Sequence, residues 1–487
     1  MNDQLLTQLK GWNPWWQQGL VGIDRYNDPN YKREAYIEIK NQFLQGDQIV
    51  SIAGMRQVGK STIMRQIIKD LLHSGVDPKR ILYVSFDDPY LRATFDQKQL
   101  FNQIIDSYSE GVLQEQLSES TKQIYFFFDE IHQLPQWEKI LKTFYDRPFQ
   151  IKYIVSGSSS LRIQQKNRES LLGRISEHVL WPFSFREYVE FKEKNNIKII
   201  DAIKRLREQK KKFISSFRIG GMSSVLEPIF KDLKVWEKQT VIKCLKKFII
   251  EGGFPRVWQQ TDIASKQRTL WEHHIAKVLF EDLPQVAKIR KVKDLEKLYV
   301  RLVDFNGAEA VLSKLQKDLK IHWTTLDRYL GYLQKTFLLF RIDRTKSKRF
   351  EHKRRSGNIK FYVTDVALRN ALRKKTEEIY DNPEEMSYVA ENLVCTAIEG
   401  WFPRIRRDGE VSFYKDKKGE VDFIAKYPSG ALPIEVKWRN NVPSLKTLDK
   451  LCEKWGVEES ILVTKDFDFS LKDGRLSLPL WFFLLAF

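Results

Sequence analysis

The chain has 487 residues, 42% of them hydrophobic and 30% charged, which is too long for one hydrophobic core and carries no disordered or Pro/Gly-rich signature. Its 82 Lys+Arg against 63 Asp+Glu leave a net charge of +19, which suits a polyanionic partner such as nucleic acid or a phospholipid surface. Cys244, Cys395 and Cys452 are too few and too far apart for a disulfide framework or a C-x-x-C metal site. No export signal opens the sequence, and no apolar run approaches the ~18–20 residues that span a bilayer. A cytoplasmic protein without a membrane segment is expected.

Five short apolar runs mark the first 180 residues: 48–53, 81–86, 124–128, 152–155 and 175–180. They are rich in Ile, Val, Phe and Tyr and are separated by helical patterns, which predicts a parallel sheet with crossover helices. After the first run comes Gly54-Met55-Arg56-Gln57-Val58-Gly59-Lys60-Ser61, a complete G-x-x-x-x-G-K-[ST] phosphate-binding loop. The helix it opens repeats Ile63, Met64, Ile67, Ile68, Leu71 and Leu72 at helical spacing, so one face is expected on the sheet. Backbone N–H groups from Arg56 to Lys60 are placed to form an anion nest at a helix N-terminus. Lys60 is expected at the β- and γ-phosphates of ATP, the Ser61 hydroxyl at Mg²⁺, and Thr62 within reach of the α-phosphate.

The third run, Ile124 to Phe128, ends in Asp129-Glu130. An acid at a strand tip can hold Mg²⁺ through its water shell, and the adjacent acid can orient the attacking water, which points to hydrolysis rather than to a kinase. The fourth run ends in Ser156-Gly157-Ser158, where Ser156 and Ser158 are candidates to sense the γ-phosphate. Arg174 is a candidate to stabilise transition-state charge, in cis or across a subunit interface.

Residues 188–212 read as basic and helical, either a solvated face or a DNA-facing insertion, and a turn at Glu251-Gly252-Gly253-Phe254-Pro255 interrupts the helices that follow. His273 and His274 lack further ligands at helical spacing, so no zinc site is expected. Residues 312–339 hold two helical patterns around Lys320-Ile321-His322, with Thr324 or Thr325 as the cap of the second. This predicts a helix-turn-helix, in which Trp323 could pack or stack on a base. Residues 341–360 carry nine Lys/Arg and two acids. Lys346, Lys348, Arg349, Lys353, Arg354 and Arg355 are the DNA-binding candidates, on a basic hairpin such as the wing of a winged helix.

The last segment begins with a helix over 388–401 and continues into strand patterns at 411–414, 420–425, 432–436 and 460–463; Leu478 to Phe487 is expected to form a buried final strand. Asp422, then Glu435 and Lys437 after a twelve-residue gap, resemble the PD-(D/E)XK nuclease pattern. Adjacent strands would join the two acids around a second divalent metal, and alternation puts Lys437 on the face of Glu435. In that superfamily a glutamate on the preceding helix completes the site, and Glu391 stands there.

The segments GMRQVGKST, YFFFDEIHQLPQWEKILK, YIVSGSSS, LLGRISEHVLWPFSFREYVEF and EGGFPRVW resemble, in order and spacing, an archaeal and bacterial family of AAA+-like P-loop ATPases with a C-terminal nuclease-like domain. The resemblance implies an α/β fold: a P-loop core of the AAA+/ASCE type with a parallel sheet, a helical lid, a winged helix and a restriction-endonuclease-like domain. It also implies assembly into an oligomer, with a hexameric ring as one form. The expected division is an N-terminal arm (1–30), ATPase core (31–190), helical lid with a basic insertion (191–300), winged helix (301–360) and nuclease-like domain (361–487). The function expected is an ATP- and Mg²⁺-dependent motor or remodelling ATPase on duplex or branched DNA, as in repair or recombination. An ATP-gated metal-dependent nuclease and a slow ATP-controlled switch with a protein partner are the alternatives.

Overall fold

The computed structural model describes the chain except for residues 1–2, 159–170, 217–219, 288, 290, 306, 350–357, 403–408, 429, 440–444 and 466–468. The chain divides into two compact units, Met1–Trp181 and Pro182–Phe487.

In the first unit the five apolar runs form strands β1 (Ile49–Gly54), β2 (Ile81–Ser85), β3 (Ile124–Asp129), β4 (Ile151–Gly157) and β5 (Ile175–Leu180). They pair in the order β2-β3-β4-β1-β5, with every pair parallel. All five therefore end on one side of the sheet, where Gly54, Asp129 and Gly157 lie close together. The strands β1 to β4 are almost wholly buried, which is why their sequences read as continuous apolar runs without alternation. Helix Lys60–His73 buries the six apolar residues whose spacing defined its inner face, together with Lys60 and Gln66.

The N-terminal arm closes the exposed edge of this sheet. Helices Asp3–Trp12 and Trp15–Asp24 flank Asn13, whose side chain accepts the Tyr83 N–H (2.7 Å) and donates to the Tyr83 carbonyl (2.8 Å). The indole N–H groups of Trp15 and Trp16 donate to Ile81 O at 3.1 and 2.7 Å. Side chains thus take the place of a neighbouring strand at Ile81 and Tyr83, which blunts the β2 edge.

The second unit joins a helical part to a nine-stranded mixed sheet of order β13-β14-β12-β11-β10-β9-β7-β8-β6. Its strands are β6 (Glu309–Val311), β7 (Leu339–Thr345), β8 (Asn358–Val363), β9 (Glu410–Lys415), β10 (Glu420–Tyr427), β11 (Gly430–Lys437), β12 (Ser460–Thr464), β13 (Ser470–Lys472) and β14 (Arg475–Pro479). Helix Val292–Phe305, β6, helices Leu312–Leu319 and Trp323–Lys335, then β7 and β8 follow one another. Strand β7 continues this three-stranded piece into the rest of the sheet by pairing parallel to β9. Helix Trp323–Lys335 is capped by His322, whose ring accepts the Thr324 N–H at 3.4 Å, so neither Thr324 nor Thr325 is the cap. Helix Phe185–Lys192 packs in this unit against helix Val235–Glu251.

The C-terminus differs from the expected strand. Only Leu478 and Pro479 end β14, and Leu480–Ala486 form a helix with every residue buried. An apolar run without polar interruption does not distinguish a buried strand from a buried helix. Arg186, 1% exposed, donates to the carbonyls of Leu485 (3.0 Å) and Ala486 (3.3 Å) and so satisfies the end of that helix.

The Glu251-Gly252-Gly253 turn has its own clasp. Gly252 takes φ +64°, and a Cβ there would lie 2.6 Å from the Asp365 carboxylate. Asp365 accepts the N–H groups of Gly253 (2.7 Å) and Ala367 (2.9 Å), yet burial outweighs these donors and raises its pKa from 3.8 to about 6. The folded chain therefore holds this proton more tightly than the unfolded chain. The resulting stability is complete below pH 3.8 and is lost as pH rises to about 6. A shift of this size corresponds to about 3 kcal/mol. Denaturant unfolding of wild type and Asp365→Asn from pH 4 to 7 is expected to show wild type losing up to about 3 kcal/mol more than the variant, whose side chain does not titrate. Parallel pH profiles for the two proteins would refute the assignment.

Candidate ATP site and a buried carboxylate centre

The phosphate loop connects β1 to helix Lys60–His73. Gly54 is required because a Cβ would stand 2.2 Å from Leu180 O on β5. Gln57 (φ +59°) and Gly59 (φ +101°) adopt left-handed backbone, the conformation from which successive N–H groups form an anion nest. Buried Arg33 donates to Val58 O (2.8 Å) and to Trp181 O (3.0 Å), which fixes the loop from behind.

Lys60, 4% exposed, donates to Met55 O (2.9 Å) and Gly54 O (3.3 Å) and lies 3.4 Å from Glu130 Oε1. The Ser61 hydroxyl donates to Asp129 Oδ2 at 2.5 Å. Two hard oxygen donors thus meet at a helix N-terminus beside a buried ammonium, a donor set that fits a hydrated Mg²⁺ carried by nucleotide phosphates. Asp129 also accepts the Tyr83 hydroxyl (2.8 Å) and the Ser156 hydroxyl.

Glu130 has left-handed backbone (φ +49°) and accepts the Ser158 N–H at 3.0 Å, while His132 Nδ1 lies 3.3 Å from its Oε2. Burial opposes its charge, but Lys60, His132, Arg56 and the Ser158 N–H together pull its pKa below the usual glutamate value. It is thus held as a carboxylate. Strand β4, lying between β1 and β3, brings both candidate serines to the acids. The Ser156 hydroxyl donates to Asp129 and accepts the Glu130 N–H (3.1 Å), so it braces the acid pair. The Ser158 hydroxyl lies 3.2 Å from His132 Nε2.

Arg174 is not brought to this site within the chain. It precedes β5 at the opposite end of the sheet, where its carbonyl accepts the Ile49 N–H and its guanidinium grips Asp146 (2.6 and 3.2 Å). Arg33, Tyr83 and His132 were missed by sequence reasoning. His132 was detectable as a polar residue two positions after the acids, and Tyr83 as a hydroxyl in an otherwise apolar strand. Arg33, 25 residues before the Val58 carbonyl it binds, left no signal.

In the second unit Glu391, Asp422, Glu435 and Lys437 do come together, but each is already engaged. Asp422 Oδ2 accepts the Val436 N–H (2.9 Å), and Glu435 accepts the Asp422 N–H (3.3 Å) and pairs with Lys437. Glu391, on helix Pro383–Glu399, accepts Lys360 Nζ at 2.9 Å and the Tyr362 hydroxyl. Lys360 also pairs with Glu420. Burial, reinforced by Asp422, raises the pKa of Glu391 to about 7 and of Glu435 to about 8. Among the described residues no three His, Cys, Asp or Glu side chains form a group able to hold a metal ion. Lys360 already pairs with Glu391 and Glu420, so these acids are taken up by a fixed ammonium. The second divalent metal expected from the sequence therefore does not fit this arrangement.

Lys346, Lys348 and Arg349 are exposed after β7, although Lys348 Nζ donates to Trp455 O (2.5 Å). Lys353, Arg354 and Arg355 lie outside the described residues. Trp323, 45% exposed, stands at the start of its helix with Thr324 and Arg328 also exposed.

Residues 46–189 match the family model of the AAA domain. Residues 242–378 and 387–483 match two models described as domains of unknown function. The chain is 27% identical over 400 residues to an uncharacterized protein of Methanocaldococcus jannaschii, covering 80% of this chain and 74% of that one. It is 24% identical over 454 residues to an uncharacterized protein of Haemophilus influenzae, covering 91% and 95%. Among solved structures it is similar to the S. cerevisiae Hsp104–ADP complex (TM-score 0.29, 18% identity, 76% of this chain and 43% of that chain). It is also similar to the Aeropyrum pernix ORC1 protein in complex with DNA (TM-score 0.27, 13% identity, 74% and 96%). The parallel sheet, its phosphate loop and the AAA-domain match define the class of the first unit as a P-loop AAA-type ATPase fold. No helix among the described residues is long and apolar enough to cross a membrane.

Proposed function

We propose that the chain hydrolyses ATP and uses the cycle to move or remodel duplex or branched DNA. The observation that carries the hydrolytic part is the convergence of Lys60, Ser61, Asp129 and Glu130 at one end of a parallel sheet. Bound Mg·ATP supplies the phosphoanhydride whose cleavage drives the cycle. Backbone N–H groups from Arg56 to Lys60 would wrap the phosphates, and Lys60, exchanging Glu130 for them, would neutralise the terminal phosphates. Ser61 and Asp129 would hold the Mg²⁺, and Thr62 lies in the first turn of the helix that Lys60 opens. Glu130, still gripped by His132 and the Ser158 N–H, aligns water for attack.

The DNA part rests on the order helix, strand, helix, helix, strand, strand over 292–363, which we interpret as a winged helix. It presents Trp323 and Arg328 on the second helix of its helix-turn-helix, and the basic 341–360 stretch serves as the wing. We retain five parts in the order given above, with the winged helix widened to 292–363, and an oligomeric assembly in which Arg174 would act on a neighbouring subunit. The helix, the β9–β11 meander, the helix Lys446–Trp455 and the parallel strand β12 support a nuclease-like fold for 361–487, used for binding rather than cleavage.

The test is the ATPase rate with no DNA, single-stranded DNA, duplex and a four-way junction, each at low salt. At least a severalfold stimulation by duplex or junction is expected. An unchanged rate with nucleotide retained through purification would favour the slow switch, a reading consistent with the Lys60–Glu130 pair that ATP must first break.

A further inference from the structure

The carboxylate centre of the second unit already contains a cation. On β8, Lys360 and Tyr362 project to the same side, as alternate strand residues do, and both donate to Glu391 Oε1. Lys360 is 2% exposed. Its ammonium is enclosed by three further elements: Glu391 on helix Pro383–Glu399, Glu420 at the start of β10, and the Phe413 ring of β9 at 5.3 Å. Lysine is almost never buried this deeply without such partners. The face that the D-x₁₂-E-x-K pattern would offer to a metal ion is therefore filled from a strand outside that pattern.

We propose that Lys360 is a built-in substitute for a divalent cation, and that the centre formed by Glu391, Asp422 and Glu435 is a latent divalent-metal site closed by its ammonium. In the wild type the centre is an ion-pair lock joining β8 to helix Pro383–Glu399, and it requires no metal. Glu391, Asp422 and Glu435 gather three carboxyl groups beside the ammoniums of Lys360 and Lys437, while Glu420 is shared between Lys360 and Lys415. Removing the Lys360 charge leaves Lys437 as the cation paired with the three carboxyl groups and Glu391 held by the Tyr362 hydroxyl alone. Hard carboxylate oxygens then favour Mn²⁺ or Mg²⁺ over softer ions. The inference uses only this sheet and helix, so it stands or falls separately from ATP turnover and DNA binding.

The test is Mn²⁺ titration of the full chain without nucleotide, read by the loss of the free-ion electron paramagnetic resonance signal. Lys360→Met is expected to bind one Mn²⁺ at least about tenfold more tightly than wild type, a difference of about 1.4 kcal/mol. Lys360→Arg, which keeps the charge, is expected to match wild type. Adding Asp422→Asn to Lys360→Met should abolish the gained site, which assigns the ion to this centre rather than to Asp129. If Lys360→Met folds poorly, Lys360→Gln, which keeps a donor for Glu391 without the charge, serves in its place. In a destabilised variant Mn²⁺ should raise the Tm. Equal Mn²⁺ affinity in wild type and the neutral variants, no binding by any of them, or an unmoved Tm would overturn the proposal.

Discussion

Glu130→Gln is expected to lower the ATP turnover rate by about 10²–10⁴-fold, the range lost when a positioned general base is removed, while ATP still binds. The amide keeps the shape of the side chain and can still accept the Ser158 N–H, so the loop between β3 and its following turn keeps its path. What it loses is the negative charge that Lys60, His132 and Arg56 hold in place. Lys60 is then released from its 3.4 Å partner and is free for phosphate. Nucleotide affinity should therefore be unchanged or higher, and the kinetic defect should fall on the chemical step alone. Single-turnover hydrolysis and equilibrium binding of a fluorescent ATP analogue separate the two quantities. A variant that turns over at the wild-type rate would remove Glu130 from the reaction, and one that no longer binds nucleotide would reduce it to a structural partner of Lys60.

Binding to duplex DNA should collapse with salt. Six phosphate contacts give a slope of about −5 in log affinity against log salt, so raising salt from about 50 to about 200 mM should weaken binding about a thousandfold. The contacts expected are Lys346, Lys348, Arg349, Lys353, Arg354 and Arg355, in a stretch with nine cations and two acids. Replacing all six with glutamine should flatten the slope by about 5 and leave ATP turnover without DNA unchanged. They need not contribute equally. Lys348 donates to the Trp455 carbonyl, so Lys348→Gln alone should change affinity least, while Arg349 and Lys346 are exposed and uncommitted by any such tie to Trp455. Fluorescence anisotropy at several salt concentrations measures these slopes. A slope unaltered by the sixfold replacement would move the DNA contact away from the wing.

How much of this could be read before folding depends on the distance over which each signal acts. The five strands of the first unit and the buried face of helix Lys60–His73 follow from runs and periods only a few residues long, and the structure reproduces both. The same holds for Gly54 to Ser61 and for Asp129-Glu130, where the chemistry is written in adjacent residues. The final helix Leu480–Ala486 was read as a strand because a uniformly apolar segment has no period to measure. The cap of helix Trp323–Lys335 is His322, two residues before Thr324, because its ring reaches the Thr324 N–H from outside the helix.

The amino-acid sequence by itself determined the parallel-sheet core, the phosphate loop with its acids, and the spacing of Asp422, Glu435 and Lys437, because propensity, alternation and motif spacing act locally, whereas Glu391 entered only through the resemblance to a nuclease pattern. Only the tertiary structure decided what those groups touch. Asn13 completes the edge of β2 from 70 residues away, Arg186 ends a helix from 299 residues away, and Lys360 enters a carboxylate centre 31 residues before Glu391. Such contacts are selected by the free energy of burying polar groups with partners. That free energy depends on which distant segments pack together, and no short window of sequence contains it.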